Sequence, residues 1–174
     1  MEPDNSYTSN NIPADEDESV EELTQLTFEE TRVLGSLIEK ELTTPEYYPM
    51  SLNGLVNACN QKNNRSPKTN LSEDDVNHSI EQLRIKRLAH RVDLVGSRVP
   101  KFQHNAEKEL DLIKAERALI CELLNRGPQT TGELNNRANR MFEFDGIQDV
   151  EDTLTDMMER SPSLVGIMEA RPGQ

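Results

Sequence analysis

Lys62, Arg65 and Lys68 stand three residues apart in the polar run Asn60-Gln61-Lys62-Asn63-Asn64-Arg65-Ser66-Pro67-Lys68. Cations in such a run neutralise phosphates, and the Asn and Gln amides beside them hydrogen-bond to phosphate oxygens or base edges. Arg91, Arg98 and Lys101 add positive charge further along the chain. Lys62, Arg65, Lys68, Arg91 and Arg98 are therefore the candidate nucleic-acid contacts. The competing reading is a long solvated connector whose Asn side chains support turns. Arg84, Lys86 and Arg87 divide in the same way, because bases at the end of a helix also complement its dipole. Against DNA stands Glu73-Asp74-Asp75. Recognition helices read bases with their N-terminal residues, and three acids there repel phosphate.

Other chemistry is sparse. The sequence holds no Walker loop, no Gly-x-Gly-x-x-Gly, no Cys-x-x-Cys and no His-x-x-x-His. His78, His90 and His104 are scattered along a predicted helix face and around a predicted hairpin, where surface or rim positions are expected. Acids abound, but none sits in an apolar context that would raise its pKa for acid–base work, and most are expected on solvated helix faces. Cys59 and Cys121 each fall in an apolar helical pattern and read as buried free thiols. No enzyme, cofactor or metal site is expected.

The elements that must carry these residues follow from charge and periodicity. Of the net charge of −13, residues 1–23 supply eight acids and no base. Residues 24–104 carry eleven bases and ten acids, and residues 105–174 carry eight bases and fourteen acids. Global acidity disfavours a general nucleic-acid binder, while the nearly neutral first segment leaves room for a local basic patch. Residues 1–23 lack the apolar surface needed to offset ordering entropy and read as a disordered acidic tail, either solubilising or partner-binding. With neither a basic residue nor an apolar run, the N-terminus does not read as a signal or transit peptide. Nor does any apolar stretch approach the roughly 18 residues of a membrane span. A cytoplasmic location without membrane contact is the expectation.

Thr27 with Glu30 forms a capping-box pattern, followed by the helical face Val33, Leu34, Leu37 and Ile38. That helix should end near Leu42. Ser51 begins a second helix with Leu52, Leu55, Val56 and Cys59 inward. Ser72 caps a third, with Asp75 at the box position and Val76, Ile80 and Leu83 inward. Leu88–Val95 and Arg98–Gln103 alternate like strands around Gly96-Ser97. Three helices and a hairpin are the winged-helix order.

The order then repeats. Leu119, Ile120, Leu123 and Leu124 have the spacing of Val33, Leu34, Leu37 and Ile38. Thr130–Asn139 aligns without gaps on Ser51–Asn60, with Leu134, Asn136 and Asn139 matching Leu55, Asn57 and Asn60. Asp149, Val150, Leu154 and Met157 fall where Asp75, Val76, Ile80 and Leu83 do. This pattern reads as duplication. A wing strand is expected over residues 164–170 with a turn at Arg171-Pro172-Gly173, leaving the second wing truncated or vestigial.

The strings Leu52-Asn53-Gly54-Leu55-Val56-Asn57-Ala58-Cys59-Asn60-Gln61-Lys62, Asn64-Arg65-Ser66-Pro67, Gly96, Arg98-Val99-Pro100-Lys101-Phe102, Arg126-Gly127-Pro128-Gln129-Thr130 and Gly132-Glu133-Leu134 resemble the YceH-like bacterial proteins. The resemblance covers about residues 24–174. It implies a tandem winged-helix fold and no assigned catalytic residues. It also implies a further strand past Arg-Pro-Gly-Gln, which this sequence does not include.

The expected architecture is thus mainly α with small β-hairpin wings. It comprises an acidic tail over 1–23, a first winged-helix domain over 24–104 and a second over 105–174. The expected function is a non-enzymatic interaction module, homodimeric, with its second unit making protein contacts. Met141, Phe142 and Phe144 precede the third helix of that unit; core packing accounts for most of them, and an exposed one would serve a protein interface. The alternative is a DNA-binding regulator acting through the first unit.

Overall fold

The computed structural model describes residues 24–170. The expected disordered tail over 1–23 and the turn at Arg171-Pro172-Gly173 lie outside the described residues. Among the described residues the molecule is mainly helical, with seven α-helices and one small antiparallel sheet.

Helix α1 spans Phe28–Thr43, and its N-cap Thr27 accepts the Glu30 amide at 3.2 Å. Helix α2 spans Leu52–Cys59 behind Ser51, whose hydroxyl accepts the Gly54 amide. Helix α3 spans Glu73–Ile85 and opens on the full reciprocal box of Ser72 and Asp75. Each cap satisfies amides that the first helical turn leaves without an internal partner.

Strand β1 covers Met50–Ser51, β2 Ala89–Val92 and β3 Lys101–His104, in the order β1-β3-β2. Arg91 lies opposite Phe102 in the β2–β3 ladder, and Met50 opposite Phe102 in the β1–β3 ladder. The hairpin strands are shorter than Leu88–Val95 and Arg98–Gln103. The two-residue β1 gave no periodic signal.

A single turn, α4 (Ala106–Glu109), leads into α5 (Lys114–Arg126), α6 (Thr131–Ala138) and α7 (Ile147–Met158). Thr130 caps α6 as Ser51 caps α2, now with Glu133 completing the box. Leu134 and Ala138 are buried, as are Leu55 and Cys59 at the aligned positions. In α5 only Leu119 of the expected apolar four is fully buried. Ile120, Leu123 and Leu124 are half-buried, and the inward face is Ala118, Cys121, Glu122 and Asn125. The expected wing strand over 164–170 is not formed. Leu164 and Val165 rest against the core, and the segment after them is irregular and exposed.

Val33, Leu37, Ile38, Leu55, Val76, Ile80 and Leu83 are wholly buried in the first half. Each such side chain contributes about 1.5–3 kcal/mol through burial. The most extensive helix pair is α1 with α5, which joins the two halves. At that crossing a Cβ on Gly35 would sit 2.7 Å from Asn125 Oδ1, so glycine permits the approach. Cys121 Sγ donates to the Gly35 carbonyl there. Both cysteines are free and buried, and burial pushes the Cys59 thiol up to about 11. No helix among the described residues is long and apolar enough to cross a membrane.

Candidate functional site

The connector between α2 and α3 is held from beneath by two arginines. Arg32 of α1 is fully buried and donates to the Cys59 and Pro67 carbonyls, to Thr69 Oγ1 and to the Asn125 carbonyl. Arg65, in the connector itself, turns inward. Its guanidinium makes two 2.8 Å bonds to the Glu39 carboxylate and also donates to the Ala58 and Asn64 carbonyls. Asn60 completes the frame. Its Oδ1 accepts from the Leu71 amide and from Thr69 Oγ1, and its Nδ2 donates to the Leu71 carbonyl. Connector and α5 are tied by Ser66 N to the Asn125 carbonyl and by Arg126 to Asn64 Oδ1.

Arg65 therefore departs from the role expected of it. It is 5% exposed, and a fork-shaped guanidinium bonded to both carboxylate oxygens of a buried glutamate has no face left for a phosphate. Lys62 and Lys68 are exposed on the same connector, and among the described residues neither forms an ion pair. Arg91 is exposed on β2 with its Nε 3.2 Å from Asp93 Oδ1, so part of its charge is already answered. Arg98 is exposed in the hairpin turn. At the start of α3, Glu73, Asp74 and Asp75 all face solvent, and Asp75 is occupied as a cap.

Glu39 is the centre of a buried charge cluster that periodicity did not reveal. Besides Arg65 it pairs with Arg140 at 2.9 Å and Lys40 at 3.1 Å, and Arg140 also pairs with Glu122 at 2.9 Å. Glu122 is fully buried, with Arg126 at 3.3 Å. Burial alone would raise the Glu39 pKa. The Arg65 hydrogen bonds and the charges of Arg65, Arg140 and Lys40 outweigh it and hold the carboxyl at about 2. Not all acids lie on solvated faces, then: Glu30, Glu39, Glu116 and Glu122 are inside, each with a basic partner. The available signal was an acid at a helical position adjoining the apolar face, as Glu39 adjoins Ile38.

His104 likewise departs from the expected surface position, while His78 and His90 keep it. Its Nε2 lies 3.0 Å from Glu41 Oε1, its Nδ1 accepts the Ala106 amide, and its own amide donates to the Tyr48 hydroxyl. Arg117 reaches Glu41 at 2.7 Å. Burial would raise the Glu41 pKa, but the His104 hydrogen bond and charge, with Arg117, bring it below its ordinary value.

Two other surfaces stay open. At the hairpin turn, Leu94 is 43% exposed, Val95 107% and Val99 52%. Gly96 has φ +81°, in the left-handed region that glycine tolerates best, and so sharpens the turn that lifts these residues outward. The outer face of α7 presents Gln148, Glu151, Asp152, Thr155 and Asp156, with Ile147 47% exposed beside them. Of the three apolar residues before α7, Met141 and Phe144 are buried and Phe142 is half-buried, its ring 4.8 Å from that of Phe144. They serve the core.

The model of a family described as proteins of unknown function, DUF480, matches residues 26–174. A UPF0502 protein of Koribacter versatilis is 54% identical over 145 residues, covering 83% of this chain and 67% of that relative. One from Citrifermentans bemidjiense is 51% identical over 145 residues, with the same coverage of 83% and 67%. Another, from Shewanella piezotolerans, is 47% identical over 154 residues, covering 86% of this chain and 71% of the relative. The chain spans about two thirds of the length of the first two relatives.

Proposed function

The chain belongs to the DUF480 family of proteins of unknown function, and we propose that it is a non-enzymatic tandem winged-helix module that binds another protein through the hairpin turn of its first half. The observation carrying this reading is the exposure of Leu94, Val95 and Val99 together on one turn. Apolar side chains clustered at a protruding tip and rimmed by Arg91, Arg98 and Lys101 are the composition of a contact surface. The winged-helix assignment is supported by the order α1, β1, α2, α3, β2, β3 and by the matching caps of α2 and α6. It divides the chain at about residue 104, with a second unit that has no formed wing among its described residues.

The alternative, DNA binding through the first unit, rests on Lys62, Lys68, Arg91 and Arg98. It loses Arg65 to Glu39 and meets three exposed acids at the start of α3. A photo-activatable crosslinking residue in place of Val95, introduced in the native cell, separates the two. The expected products are protein adducts, absent when the same residue replaces Lys108. Nucleic acid as the sole adduct, with a low-salt mobility shift abolished by Lys62→Ala/Lys68→Ala, would replace the protein reading with the DNA one.

A further inference from the structure

We propose that the protein docked on this hairpin turn is a second copy of the same chain, the turn of one protomer seating on the outer face of α7 of the other. The inference rests on the protein-contact reading above and adds the identity of the partner. Its basis is charge and apolar complementarity between two surfaces that are both open in one molecule.

Over residues 89–104 the hairpin carries Arg91, Arg98 and Lys101 against the single acid Asp93. Over residues 143–159 the α7 region carries seven acids and no base. Asp152 and Asp156, four apart, share one exposed helix face, and Glu151 shares the adjoining exposed face with Ile147, also four apart. Each surface also offers apolar area: Leu94, Val95 and Val99 on the turn, and Ile147 at the edge of the acidic face, at the head of α7. The first turn of α3 is acidic too, but no large apolar side chain is exposed beside Glu73, Asp74 and Asp75, since Val76 is wholly buried. Charge alone steers association, and apolar burial is what holds it. That difference selects α7.

Size sets the arrangement. A stable interface buries about 1,200–2,000 Å² in total, more than one hairpin turn supplies. Two contacts related by a twofold axis, each turn on the opposite α7, double the area and close the assembly as a dimer. Unlike charges on exposed residues make the contact salt-sensitive, because they are screened within about 8 Å at physiological ionic strength.

The test is charge reversal with complementation, read by sedimentation velocity on the purified full chain at low salt. Arg98→Glu/Lys101→Glu places acid against acid. Asp152→Lys/Asp156→Lys places base against base. The wild type is expected to sediment as a dimer that weakens as salt is raised. Each variant alone is expected to self-associate on the order of 100-fold more weakly, since like-charge juxtaposition costs several kcal/mol. Their equimolar mixture is expected to regain the dimer, because both contacts of the mixed species then pair unlike charges. Circular dichroism on each variant separates loss of contact from loss of fold. A monomeric wild type, or a mixture that stays monomeric with both variants folded, overturns the proposal. So does complementation by Glu73→Lys/Asp74→Lys in place of the α7 variant. A monomeric wild type whose Val95 position still crosslinks to other proteins defeats self-association alone. Crosslinking only to nucleic acid defeats the protein reading beneath it.

Discussion

The α2–α3 connector and the β2–β3 turn are both loops of the first half, each carrying one arginine, yet they are built in opposite senses. The connector sends Arg65 inward to Glu39 and is held by Arg32 and Asn60, leaving Lys62 and Lys68 as its outward cations. The turn sends Arg98 outward, together with Leu94, Val95 and Val99. An arginine in a loop is thus a structural or a surface group according to whether a carboxylate waits beneath it. For the connector it does, and the exposed surface most available for a partner moves to the turn.

The sharpest way to break this contrast is to remove the two arginines separately. Arg65→Ala leaves the Glu39 carboxylate buried with only Arg140 and Lys40, and breaking a buried pair costs about 3–5 kcal/mol. Arg98→Ala should change stability by less than about 0.5 kcal/mol, as exposed substitutions do. Urea denaturation of the two variants measures both, and equal effects would erase the distinction.

Acid should expose the same difference. The folded Glu39 pKa of about 2 lies below its ordinary value of 4.5. Its contribution, on the order of 3 kcal/mol, is complete above the unfolded value and lost as pH falls from about 4.5 toward about 2. Unfolding free energy measured across that window should fall in the wild type. Glu39→Gln, already destabilised at neutral pH, should show a flatter profile there.

A smaller effect is expected at Asn60. Its side chain bonds both the amide and the carbonyl of Leu71, and Asn60→Ala strands those two groups, while Thr69 Oγ1 keeps the Cys59 carbonyl and Arg32. The expected loss is about 1–3 kcal/mol by denaturation. Amide exchange should quicken across the connector while leaving Arg98 and its neighbours unchanged.

Much of the scaffold was legible because its signals are local. Thr27 and Ser72 cap the helices they were expected to cap, and Ser51 opens the helix it was expected to begin, since a hydroxyl three residues before a free amide acts within one turn. The inward faces of α1, α2 and α3 followed from spacing alone. What spacing could not show was pairing across the chain. Glu39 meets Arg140 from 101 residues away, and a helical position records only that Glu39 lies beside the apolar face. For the same reason Arg65 and Lys62 look alike in sequence, although one is buried and the other is not. The α5 face was misjudged because small and polar residues, Ala118, Cys121, Glu122 and Asn125, form its contact with α1 while its leucines lie to the side. The strand expected over 164–170 needed a pairing partner, which no described residue supplies.

Glu39 belongs to the first half but is gripped by one arginine from each, Arg65 from the loop after α2 and Arg140 from the loop after α6. Opening either loop therefore leaves a carboxylate that is itself buried to be answered by the other arginine with only Lys40 beside it. The penalty for parting is shared between the two loops. One carboxylate held from both halves is thus a physical reason for them to unfold together.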